Sequence, residues 1–295
     1  MIQNQRIILR GPSGWGKTTL VGYTLPGRTF IIETDLGGMA SLARVDTDKV
    51  TVWECPTDEP NLNEALRTSD PGKVHSTQLP STEQAEPRAL HELKRLLKAL
   101  TAPQPIPNCP HYTMFDNIVL DTISGVTDIV TNRVLWLSKR ISPALSGPDY
   151  VPVQATLKQQ LKMLLRVQGP NIIMCAHEYT ERPDGEFAFD GAAKIKNPRK
   201  NRYKLTLAAP GQCRDDIPAM GFGHGFRLNL TGAGSTMKYM LQTRPESPDI
   251  VGIKTAWPWL PLEVDVTIGN WAHPERYGLA RIFELAEAGI PRGAP

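Results

Sequence analysis

The stretch that most constrains this chain is Gly11-Pro12-Ser13-Gly14-Trp15-Gly16-Lys17-Thr18-Thr19. It follows the short aliphatic run Arg6-Ile7-Ile8-Leu9-Arg10 and leads into Leu20-Val21-Gly22-Tyr23, so it reads as strand, glycine loop and helix. Glycines let the backbone bend until successive N–H groups point at one anion, at the positive end of the following helix. In the full pattern Gly-x-x-x-x-Gly-Lys-Thr the lysine reaches the β- and γ-phosphates of a nucleotide, and the threonine hydroxyl ligates Mg²⁺. The expectation is a site for ATP and Mg²⁺ built from residues 11–19, with Lys17 on phosphate and Thr18 on the metal.

The rest of the chain supplies strands and helices in alternation. Thr29-Phe30-Ile31-Ile32, Val50-Thr51-Val52-Trp53, Asn117-Ile118-Val119-Leu120 and Asn171-Ile172-Ile173-Met174-Cys175-Ala176 read as strands. Residues 88–100, 125–141 and 151–167 read as helices, the first with Leu90, Leu93, Leu96, Leu97 and Leu100 on one face. This order predicts an α/β fold with a mainly parallel, buried sheet. After about residue 200 the pattern changes. Strands are expected at 203–208 and 226–230, an antiparallel pair at 237–243 and 250–256, and a last helix at 275–288, together an antiparallel C-terminal extension. We place one ATPase domain over 1–260 and a helix-bearing tail over 261–295. The Pro-, Ser-, Thr- and acid-rich stretch 54–87 reads as a surface insertion.

Composition narrows the function classes. Thirty-three Lys and Arg against 30 Asp and Glu leave a formal charge of +3, which excludes a polybasic protein and leaves nucleic-acid contact to local charge. The four cysteines, Cys55, Cys109, Cys175 and Cys213, form no C-x-x-C pair, which fits a reducing compartment. There is no run of 18 apolar residues and no secretory h-region after Met1, so a soluble, cytoplasmic protein without a membrane partner is expected.

Several residues carry candidate chemistry. Asp121 ends an apolar strand, where a carboxylate can hold Mg²⁺. The residue after it is Thr122, so no glutamate directly follows. The candidates for activating water are therefore Glu33 and Asp35, after the second strand. His177 follows the fourth strand and is placed to sense the γ-phosphate or the attacking water; a structural histidine is the alternative. Between Ala192 and Lys204 stand Lys194, Lys196, Arg199, Lys200, Arg202 and Lys204 with no acid among them. This is a candidate DNA-phosphate segment flanked by Phe187, Phe189 and Tyr203.

Taken together, Gly11–Thr19, Glu33-x-Asp35-x-Gly37-Gly38, Asn117–Thr122, Ile172–Glu178 and the Phe226-Arg227-Leu228…Tyr239–Thr243…Lys254 segment resemble the phage-encoded nucleotide-binding proteins of the RecA-like class. That group includes the single-strand annealing ATPases of bacteriophage recombination. The resemblance implies a RecA-like P-loop core, ATP hydrolysis at subunit interfaces of a ring or filament, single-stranded DNA as partner, and a single-strand-binding protein as a further one. It puts Asp35 on the catalytic position, with Glu33 as runner-up, and turns the basic segment toward the axis of the assembly. It also makes Lys254 a candidate to reach a neighbouring subunit's nucleotide. Asp35 stands where that class usually has glutamate, and Lys254-Thr255-Ala256 lacks the arginine of its Lys-x-Arg pair. A different function class, a slow nucleotide-dependent switch acting on a protein partner, predicts ATP binding without a DNA response.

Overall fold

The computed structural model describes residues 2–35, 38–56, 87–138, 145, 147–181, 187–190, 193–196, 204–210, 212–247 and 250–289. Six strands run parallel: β1 (Arg6–Gly11), β2 (Thr29–Glu33), β3 (Val50–Glu54), β4 (Asn117–Asp121), β5 (Asn171–Glu181) and β9 (His224–Thr231). Their spatial order is β9-β1-β5-β4-β2-β3, so β5 lies between β1, which feeds the P-loop, and β4, which ends in Asp121. The alternation of elements predicts this mainly parallel sheet, and its strand order is the RecA-like P-loop arrangement that the resemblance implies.

Antiparallel strands extend the sheet on the β9 side. β10 (Lys238–Gln242) pairs with β9, and β11 (Glu263–Asp265) pairs with β10. Residues 250–256 are not the strand expected beside 237–243. Gly252 has φ +83°, which turns the chain, Lys254 bridges to Gly225, and β10 takes β9 and β11 as its neighbours instead. β8 (Lys204–Leu207) pairs antiparallel with the outer half of β5, and β6 (Phe187–Asp190) with β7 (Ala193–Lys196) forms a separate ribbon. The fourth strand thus runs on to Glu181, and His177 sits within it rather than after it.

Helices cover both faces because side chains of a buried strand alternate. Ile8, Phe30, Ile118 and Met174 face α3 (Ala89–Leu100), α4 (Ile123–Leu137) and α5 (Gly147–Leu165). The five leucines at helical spacing in α3 are all buried there, each worth about 2 kcal/mol of transfer free energy. Ile7, Leu9, Ile31 and Val119 face α1 (Lys17–Thr24) and α7 (Gly278–Gly289), with α2 (Gly38–Ser41) nearby and Leu279, Ile282 and Phe283 in the same core. α6 (Cys213–Ala219) adds Cys213 and Ile217 to the opposite core.

Polar pins fix these layers. Asn171 donates to Asn117 across two buried strand starts at 3.0 Å. The Thr24 hydroxyl accepts the Leu279 N–H at 2.9 Å, joining α1 to α7. The stretch after residue 260 therefore contributes β11 to the sheet and α7 to the core. Among the described residues, no helix is long and apolar enough to cross a membrane.

Candidate nucleotide-binding site

Parallel strands open their carboxyl ends on one edge of the sheet, and the residues singled out by sequence converge there. Gly14 (φ +76°) and Gly16 (φ +82°) take the left-handed backbone that an L side chain resists, and Gly16 is the N-cap of α1. The start of the loop holds the Lys17 ammonium, which donates to the Gly11 and Pro12 carbonyls at 2.9 and 2.8 Å. Burial lowers the Lys17 pKa, opposed by the charges of Asp121 and Asp35. Ser13 and Gly14 are exposed at the tip, while Pro12, Trp15, Thr18 and Thr19 are half-buried.

Asp121 is fully buried, and neither of its carboxylate oxygens completes a hydrogen bond. Burial raises its pKa; Thr18 and Lys17 close by partly offset this. A buried, unpartnered carboxylate is costly unless a cation compensates it. An all-oxygen pair of Asp121 and the Thr18 hydroxyl suits Mg²⁺, which takes the rest of its shell from phosphates and water. The residues present therefore fit the ion. The following peptide is cis, and the Thr122 hydroxyl caps α4 by accepting the Gly125 N–H at 3.0 Å.

The two candidate bases differ in setting. Glu33 lies in register with Asp121 and is 1% exposed. Its Oε1 accepts the Asp35 N–H at 2.9 Å, while Oε2 has no partner. Burial, with the Asp121 charge adding to it, pushes its pKa up to about 8. The Asp35 side chain is 38% exposed, and its Oδ2 is 3.3 Å from His177 Nε2. Burial and the Lys17 charge lower the His177 pKa against the pull of Asp35. The structure thus brings His177 and Asp35 together at the mouth and keeps Glu33 beneath them.

The remaining candidates lie elsewhere. Lys254 is exposed, with its ammonium on the Pro218 carbonyl at 3.0 Å. Lys194 and Lys196 are on β7 and Lys204 begins β8, whereas Arg199, Lys200, Arg202 and Tyr203 lie outside the described residues. Most of the 54–87 stretch lies outside them too.

Sequence reasoning missed two neighbours of the site. Thr34 holds the turn after Asp121, its hydroxyl accepting from the Thr122 N–H and donating to the Thr122 carbonyl, both at 2.9 Å. On the far face of the sheet Glu178 is buried between Arg10 and Arg227, with Oε1 3.3 Å from the Arg10 Nε and 2.8 Å from the Arg227 Nε. An arginine inside the apolar run of β1 and a glutamate inside β5 were the available signal. Charged residues inside central strands are rarely left unpaired.

Residues 3–206 match the AAA_24 family model, described as an AAA domain. The chain belongs to this AAA domain family. The match spans the P-loop, Glu33, Asp35, Asp121 and His177, and ends within β8. No curated protein matches the chain. Among solved structures, this AAA domain is similar to the flagellar accessory protein FlaH from Methanocaldococcus jannaschii: 13% identity over 90% of this chain and 86% of that one, TM-score 0.34. It is also similar to the KaiC-like protein PH0186 from Pyrococcus horikoshii OT3, at 11% identity over 92% and 88%, TM-score 0.42. The fold of this AAA domain stands on its own strand order, and its P-loop makes it a nucleotide-binding ATPase domain.

Proposed function

We propose that this AAA domain is a magnesium-dependent ATPase that assembles with copies of itself and works on single-stranded DNA in phage recombination or replication, in the cytoplasm of the host. The observation that carries the catalytic part is the convergence of Lys17, Thr18 and the unpartnered Asp121 carboxylate at one edge of the sheet. Lys17 leaves the Gly11 and Pro12 carbonyls to neutralise phosphate charge, and the backbone N–H groups of the loop hold the phosphates at the start of α1. Thr18 and Asp121 would hold Mg²⁺, which supplies charge stabilisation on the phosphoryl oxygens when bound. Asp35, open to water, accepts the proton of the attacking water, and His177 orients that carboxylate through Nε2. Glu33, held protonated at neutral pH, offers a proton to a hydrogen bond instead of taking one.

DNA contact is supported by the acid-free basic segment 192–204. Self-assembly, Lys254 acting in trans, a single-strand-binding protein as a further partner and the phage setting rest on the resemblance of the motifs. The test is ATP turnover with and without single-stranded DNA across a salt series. Lys17→Ala is expected to abolish turnover, and DNA is expected to stimulate the parent protein steeply less as salt rises, because phosphate contacts release counterions. Full turnover by Lys17→Ala would overturn the catalytic assignment. ATP binding without any DNA effect would favour the protein-partnered switch.

A further inference from the structure

On the flank of the P-loop a cavity of about 290 Å³ is walled by Gly16, Thr19, Tyr239, Thr267, Ile268 and Trp271, with Leu20 and Val266 behind them. Tyr239, on β10, stands so close to the loop that a Cβ on Gly16 would lie 3.4 Å from its ring. The opposite wall is stitched to it: the Tyr239 N–H donates to the Thr267 hydroxyl at 2.9 Å, and the Val266 N–H to the Tyr239 carbonyl at 2.8 Å. Trp271 is 60% exposed at the rim, with its ring edge-on to Tyr23 of α1 at 5.6 Å between centroids. A large aromatic ring left in water beside a phosphate loop is apolar surface awaiting a flat partner.

We propose that this cavity takes the nucleobase of the bound nucleotide, stacked against Tyr239 and Trp271, and that it selects purines by ring area while barely telling adenine from guanine. The proposal rests on the nucleotide-site reading above and adds the base to it. Phosphates held by residues 11–18 leave the sugar and base to one side of the loop, and this cavity is continuous with Gly16 and Thr19. Stacking is tolerant of base identity because every base presents a π-face. Side-chain reading of a base edge uses an amide for adenine, or a guanidinium or ammonium for guanine. Among the described residues the lining holds none of these, and its polar side-chain groups include the hydroxyls of Thr19, Thr267 and Tyr239. A larger cavity of about 790 Å³ shares Thr19 and Trp271 but is lined by Arg44, Asp46, Lys49 and Glu275, a charged setting that suits a base less well.

The experiment is equilibrium binding by calorimetry, with Mg²⁺ present, of ATP, GTP, CTP and inorganic triphosphate to the full chain and to Trp271→Ala, Tyr239→Ala and Arg44→Ala. Trp271 is the informative position because its exposure lets the alanine variant fold; retained triphosphate binding by each variant checks the loop. We expect ATP and GTP to bind within about 3-fold of each other, CTP to fall between them and triphosphate, and triphosphate to bind about 10-fold more weakly than ATP, the scale of one base stacked on an aromatic ring. Trp271→Ala should cost ATP about 10-fold and triphosphate nothing, with Arg44→Ala leaving both unchanged. Equal affinity of the parent for ATP and triphosphate, unchanged ATP affinity in Trp271→Ala, or a selective loss in Arg44→Ala instead would overturn the base pocket alone. Failure of both ATP and triphosphate to bind would overturn the P-loop reading and this proposal with it.

Discussion

Glu33→Gln tests the electrostatics at the end of β2 without any assumption about turnover. In the folded protein Glu33 has a pKa of about 8, raised by burial and by the Asp121 charge, against an ordinary carboxyl value of 4.5. A raised folded-state pKa means stability that is fully present below pH 4.5 and lost as pH rises through 8. Linkage makes the loss at pH 7 about 3 kcal/mol, and at pH 4.5 only about 0.4 kcal/mol. Glutamine has nearly the same shape and keeps an oxygen for the Asp35 N–H, but buries an amide at a cost of about 1 kcal/mol. The variant should therefore gain about 2 kcal/mol at pH 7 and lose slightly at pH 4.5. The sharp quantity is the gap between variant and parent, which should change by about 3 kcal/mol between the two pH values. Urea unfolding in EDTA without nucleotide measures it, and unchanged m-values license the comparison. Parallel pH profiles for the two proteins would refute both the protonated Glu33 and its exclusion as a base.

A second pH effect comes from His224, buried with its ring nitrogens bonded to Thr255 and Gln5 and stacked at 3.8 Å on Trp257. Burial, with Lys254 adding to it, lowers its pKa to about 4, so its contribution is present above pH 6.5 and lost as pH falls toward 4. About 2 kcal/mol should be gone at pH 5, and His224→Gln should flatten that part of the acid-unfolding profile. At the Arg10–Glu178–Arg227 cluster, Glu178→Ala leaves a fully buried guanidinium facing a second one. Chemical denaturation should show a loss of about 3 to 5 kcal/mol, whereas the double variant Arg10→Met with Glu178→Leu should lose clearly less, because it removes the fully buried guanidinium together with its carboxylate and leaves only Arg227, which keeps some contact with water. In the core, Leu93→Ala removes a fully buried side chain from α3 and should cost about 2 to 5 kcal/mol by the same measurement.

The P-loop, the parallel strands and the amphipathic α3 were legible because each is a local pattern. Glycine spacing, apolar runs and a 3.6-residue period report backbone requirements that lie within a dozen residues. Asp121 and Glu33 were legible for a related reason, since a carboxylate closing an apolar strand stands out from its neighbours. The partner of β10 was misread because 250–256 is apolar enough for a strand, yet Gly252 and the bridge to Gly225 make it a turn. The short Glu263–Asp265 segment has no strand signal of its own and becomes a strand by pairing with β10. The buried Glu178 escaped notice for a similar reason: its two arginines come from strands about 170 residues before it and about 50 after it.

By itself the sequence determined the phosphate-binding loop, the alternation that makes a parallel sheet, and the acids that end its strands, because these are written in contiguous residues. Only the tertiary structure decided how the acids differ. Glu33 and Asp35 are two residues apart and alike in sequence, but the packing of β2 beside β4 buries one against Asp121 and turns the other toward His177 and water. Burial and neighbouring charge set which carboxyl keeps its proton, and both are properties of the packed sheet. The same holds for Tyr239 and Trp271, more than 200 residues from the P-loop in sequence and brought to its flank by the antiparallel extension of the sheet.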